Sequence, residues 1–84
     1  MQRLSVPEVI DQNPDAVEIL CAWALPGDEI GFVSTKFPVD DPAGLGIFFA
    51  DLARHYFEVA GMERDSWPKA LRRVADGLIA EAEQ

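Results

Sequence analysis

Between Ala16 and Leu25 the sequence alternates, and this run constrains the fold more than any other. The odd positions Val17, Ile19, Cys21, Trp23 and Leu25 are heavy or apolar, and the even positions are mostly small. Side chains that change face at every residue define a strand, so the run predicts strand over about 16–25 with its heavy face buried. Pro26-Gly27-Asp28-Glu29 then supplies turn chemistry, because proline presets φ and glycine accepts φ > 0. A second strand is expected over about 30–37, rich in β-branched and aromatic residues. There Gly31 is read as a bulge or a close approach. The two runs form a β-hairpin, and a hairpin is marginal in water by itself.

The remainder of the chain must supply what the hairpin lacks. Residues 1–14 contain Pro7, Pro14 and the polar cluster Asp11-Gln12-Asn13, which reads as an irregular arm with one helical turn near Pro7–Ile10. Leu4, Val6, Val9 and Ile10 are expected to tuck that arm onto the body. Asp41 before Pro42 starts a helix predicted over 42–60, since its carboxylate can accept orphan amide hydrogens and proline fits the first turn. Gly61, followed by Met62, terminates it. A second helix is expected over 67–82, where Trp67, Leu71, Val74, Ala75, Leu78 and Ala82 recur at helical spacing. Trp67 precedes a proline and so marks the boundary. In the first of these helices Leu45, Phe49, Leu52, Tyr56 and Val59 fall within about 40° of one axis and are expected to pack on the hairpin. Ala50 and Phe57 widen that apolar arc, which calls for a second covering surface from the other helix or a partner chain.

The resulting fold class is two-layer α+β: a hairpin-based antiparallel sheet with two C-terminal helices on one face, one domain over 15–84 after the arm. The 84 residues leave no room for another domain. With 49% hydrophobic residues the chain is not a disordered acidic tail. Its net charge of −8 argues against nucleic acid. The opening residues lack a signal-peptide apolar stretch, and no run is long enough to span a bilayer, so a cytoplasmic location is expected. A single cysteine suits a reducing compartment.

Candidate chemistry concentrates on the first long helix. Asp51, Arg54, His55 and Glu58 are neighbours at i+3 and i+4 spacing. A carboxylate four residues before a histidine can orient the imidazole, so Asp51 and His55 would be the catalytic pair of an acid–base site. Arg54, His55, Trp23 and Tyr56 would then be the binding residues. The plainer reading makes Asp51–Arg54 and Arg54–Glu58 surface ion pairs, with His55 a boundary residue. No metal site is expected, because one His and one Cys cannot build a structural zinc centre. Cys21 reads as a small core residue, with no base to activate it. Gly44-Leu45-Gly46 lacks a P-loop lysine and stands beside Asp40 and Asp41, which argues against phosphate.

Charge is distributed unevenly. Residues 1–42 hold 8 acids and 2 bases, whereas five of the seven bases fall between Arg54 and Arg73. Lys69, Arg72 and Arg73 occupy the first half of the last helix and acids its end, against the macrodipole preference. They are read as a basic docking spot, or as a solvated face with an Arg72–Asp76 pair.

The order Glu18-Ile19-Leu20-Cys21-Ala22-Trp23, hairpin, Asp41-Pro42-Ala43-Gly44-Leu45-Gly46 and Asp51-Leu52-Ala53-Arg54-His55 resembles a family of small bacterial proteins known only as a domain of unknown function, over residues 16–83. The resemblance implies a compact α+β domain and no assigned activity. The expected role is a non-enzymatic protein-interaction module, a homodimer without cofactor, open to a protein partner but not to membrane or nucleic acid. The alternative is a small ligand-binding or acid–base catalytic protein using Asp51, Arg54 and His55.

Overall fold

The computed structural model describes residues 3–84, so residues 1 and 2 of the expected arm lie outside the described residues. The fold is α+β, with a two-stranded antiparallel sheet and helices, two of them long and C-terminal. Contacts divide the chain into one unit ending at Pro38 and another spanning Val39–Gln84.

In the first unit a single helical turn, α1, spans Glu8–Asp11, where the Ile10 and Asp11 amides donate to the Pro7 carbonyl at 3.0 Å. Leu4, Val6, Val9 and Ile10 are all exposed, Leu4 by 98%, so the arm is not anchored through them as expected. The strands β1, Leu20–Leu25, and β2, Glu29–Ser34, pair from Leu20↔Ser34 to Leu25↔Glu29 without interruption. Gly31 is therefore no bulge. It sits opposite Trp23 in the ladder, and a side chain there would meet Leu25 Cδ1 at 3.6 Å, an ordinary contact. The turn puts positive φ at Gly27 (84°) and Asp28 (63°), after a proline that presets its own φ. Asp tolerates the left-handed region better than most side chains, which suits it to this place.

The strand boundaries contract relative to the sequence pattern. β1 starts four residues after the alternation does, because its partner ends at Ser34, and one further amide, Thr35 N–H, reaches the Ile19 carbonyl at 3.0 Å. The heavy face is also less buried than its pattern predicts. Cys21 and Trp23 are half-buried, but Val17, Ile19 and Leu25 are exposed.

In the second unit α2 covers Ala43–Val59. Asp41 Oδ1 accepts from the Ala43 amide at 2.9 Å and its carbonyl accepts from Gly44 at 2.8 Å, so the expected cap is present. Asp41→Ala is expected to lower the stability of the helical unit by about 1 kcal/mol, with Asp41→Asn nearly neutral, as read by urea midpoints from circular dichroism. The C-terminus closes in a Schellman motif. Gly61 takes φ 75°, its amide reaches the Glu58 carbonyl at 3.0 Å, and the Met62 amide reaches Phe57 at 2.9 Å.

A 3₁₀ turn, Arg64–Ser66, leads into α3, Trp67–Ala82. Ser66 makes no side-chain cap, and Trp67 is already helical (φ −61°, ψ −44°) despite preceding Pro68. The turn delivers the chain in a near-helical conformation, and the indole is held from both sides. Its Nε1–H donates to the Met62 carbonyl at 3.0 Å, and its ring meets Phe57 with centroids 6.1 Å apart.

Phe57, 5% exposed, is the buried apolar residue among those described. Ala50 and Ala53 beside it are half-buried, as are Trp67, Ala70 and Leu71 on α3. Small residues three apart let the second helix approach, and Phe57 fills the space beyond them. The arc that includes Ala50 and Phe57 is thus covered by α3, one of the two covers the sequence called for. The Phe49–Leu52–Tyr56–Val59 stripe that was expected to bury is exposed instead. On α3 the apolar stripe is half-buried at Trp67 and Leu71 and exposed from Val74 onward.

Candidate functional site

The acid–base cluster on α2 resolves into a surface pair. Arg54 Nη1 lies 3.1 Å from Asp51 Oδ1, with both side chains about half exposed or more. Such i,i+3 pairs contribute about 0.3 kcal/mol. His55 is exposed, and its side chain makes no hydrogen bond or ion pair among the described residues. Glu58 does not join Arg54 in an ion pair. Tyr56 is exposed on the same helix. Of the trio Asp51, Arg54 and His55, Arg54 alone lines the groove described below.

Trp23 and Cys21 belong to the first unit, where a groove of about 260 Å³ is lined by Arg3, Leu4, Glu18 and residues 20–23. The Cys21 thiol donates to the Glu18 carboxylate, and Arg3 Nη2 stands 3.5 Å from the same carboxylate and 3.8 Å from the sulfur. The hydrogen bond to Glu18, with lesser effects of burial and of its negative charge, pushes the thiol pKa above its usual value; Arg3 acts the other way. A raised thiol is protonated near neutrality, the opposite of what a nucleophile needs.

The basic cluster divides more informatively. Arg73 pairs with Asp76 at 3.0 Å, so the pairing is i,i+3 from Arg73 and not i,i+4 from Arg72. Arg72 instead joins Arg54 and Arg64 along an open groove of about 580 Å³. Trp67, Pro68, Leu71 and Ala75 form its apolar surface. Lys69 is not among its lining residues. Arg64 stacks on the Trp67 ring, its guanidinium carbon 4.7 Å from the centroid. Stacking fixes the plane of that guanidinium and leaves its N–H edges directed outward. Periodicity alone does not find Arg64, which lies in the 3₁₀ turn; the visible clue is its place three residues before Trp67 in Arg64-Asp65-Ser66-Trp67-Pro68.

Among the described residues no group of three or more His, Cys, Asp or Glu side chains is placed to hold a metal ion. None of their helices is long and apolar enough to cross a membrane.

These features define a small acidic α+β protein in which a β-hairpin precedes a helical hairpin carrying an arginine-lined groove. Residues 3–84 match the family described as Domain of unknown function (DUF5076), and the chain belongs to that family. No curated protein and no solved structure shows significant similarity to it.

Proposed function

We propose that the protein is a non-enzymatic interaction module that works as a homodimer through its hairpin. The observation that carries the reading is that both faces of the hairpin are apolar. The register places Cys21, Trp23, Leu25 and Val33 on one face and Leu20, Ala22, Ala24, Ile30 and Phe32 on the other, with the polar Glu29 and Ser34 only at the ends of the ladder. A covering layer on either face therefore leaves an apolar face behind. On the second face the large Ile30 and Phe32 stand opposite the two alanines, and Phe32 is 68% exposed. The edges point the same way. Leu20–Leu25 carries no charge and no proline, and Glu29–Ser34 carries one charge, Glu29 at its turn end, so the edges are weakly guarded against pairing with another chain. A two-fold axis that lays the Ile30–Phe32 face of one copy on the same face of another would cover that surplus.

A non-catalytic role is supported by the exposed Asp51–Arg54 pair and by the Cys21 thiol, whose pKa Glu18 raises. The family resemblance and the single cysteine favour a bacterial, cytoplasmic setting. The charge of −8 disfavours nucleic acid.

Sedimentation equilibrium tests the dimer. The protein is expected to sediment as a dimer at about 100 μM, a modest affinity for an interface of this kind. The Ile30→Glu/Phe32→Glu variant is expected to sediment as a monomer with an unchanged helical spectrum. A wild-type monomer at that concentration overturns the reading.

A further inference from the structure

The groove between the end of α2 and the start of α3 has no part in that dimer contact, yet it is built from two kinds of surface that rarely meet by chance. Arg54, Arg64 and Arg72 bring three positive charges to it in a chain of net charge −8. The Trp67 indole and the Leu71 side chain line the same groove. Arg72 makes no ion pair among the described residues, and Arg64 is stacked on Trp67. Arg54 shares its charge with Asp51. A bare anion would leave the apolar surface wet, and an apolar ligand would leave the guanidiniums unmatched. The ligand that fits carries carboxylates together with an aliphatic group.

The same chain displays such a segment. Residues 5–18 contain four acids, Glu8, Asp11, Asp15 and Glu18, and no base. In α1, Glu8 and Asp11 bracket Val9 and Ile10, and both aliphatic side chains are exposed. Glu8 and Asp11 stand one helical turn apart on one face, so both carboxylates can meet the guanidiniums of the groove together.

We propose that the Arg54–Arg64–Arg72 groove is a receptor site for an acidic aliphatic segment, and that the Glu8–Asp11 turn of a second copy of this chain occupies it. The proposal rests on the homodimer reading only for the source of the segment. It also gives Arg72, a base in the first half of α3 that the helix dipole disfavours, a carboxylate to serve.

The test uses the full chain carrying Trp23→Phe, so that Trp67 alone reports, titrated with a synthetic peptide of residues 5–18. Saturable change in Trp67 emission is expected, weakened at least about fivefold by Arg72→Glu and by raising the salt to about 0.5 M, where the screening length falls to a few ångströms. A peptide carrying Glu8→Arg and Asp11→Arg is expected to lose binding to the Arg72 protein and to regain it with the Arg72→Glu protein. Circular dichroism of the Arg72→Glu variant separates lost binding from lost fold. No saturable change, or equal binding by Arg72 and Arg72→Glu proteins of equal helicity, overturns the proposal. Because the titration does not read oligomeric state, a dimer that ignores the peptide sinks the groove and leaves the hairpin dimer, whereas a wild-type monomer at about 100 μM overturns both the hairpin dimer and the second copy as occupant.

Discussion

Phe57→Ala is expected to remove most of the stability of the helical unit, about 3 kcal/mol. Phe57 is 5% exposed, and the alanine would leave a void where α2 meets α3. Small units hold roughly 0.05–0.15 kcal/mol per residue, so a loss of this size rivals the whole of what a helical pair can contain. Far-UV circular dichroism during a urea titration should show the helical signal falling well before the wild-type midpoint. Phe57→Leu keeps most of the volume and is expected to cost about 1 kcal/mol, since a shape change is better tolerated than a cavity. A Phe57→Ala protein that keeps the wild-type midpoint would show that the helices are held together elsewhere.

The second large effect is expected at Trp67. Its ring contacts Phe57, carries the Arg64 guanidinium, and donates Nε1–H to the Met62 carbonyl. Trp67→Ala removes all three and is expected to cost about 2 kcal/mol, less than Phe57→Ala because the indole is only half-buried. Trp67→Phe keeps a ring but leaves the Met62 carbonyl without its donor, and is expected to cost about 1 kcal/mol. The two aromatic sites share a contact, so their effects should not add. The double variant is expected to fall short of the sum of the singles by about 1 kcal/mol. Strict additivity would mean that the ring contact contributes nothing.

The helices were legible in the sequence because their ends are chemical events in single residues. Asp41 has a carboxylate to cap with, Gly61 can take positive φ, and Pro68 suits a first turn. The helices therefore end within a residue of the predicted limits. Strand length is a property of two segments at once. The alternation from Ala16 was real, but β1 could start only where Ser34 offers a partner, and Val17 lies beyond it. The buried side of α2 was harder still. Leu45, Phe49, Leu52, Tyr56 and Val59 form the more apolar stripe, and Ala50, Ala53 and Phe57 the arc that α3 covers. Hydrophobicity alone ranks the first stripe higher; close approach favours the second, because alanines leave room for a helix. The groove was half visible. Arg54 and Arg72 stood among the candidates as members of different clusters, and Arg64 was absent because a 3₁₀ turn has no periodicity to follow.

The Schellman closure at Gly61 and the three-residue loop at Pro26–Asp28 share a consequence for how the chain acquires its shape. Each brings together elements that are already sequence neighbours, β1 with β2 and α2 with α3. Pairings of this kind have low contact order, so the entropy of loop closure is small and folding is fast, in the microsecond-to-millisecond range for such topologies. The hairpin can close once Ser34 has left the ribosome, before any of α2 is available to it. Its two apolar faces are then open to the surroundings before α2 and α3 have emerged.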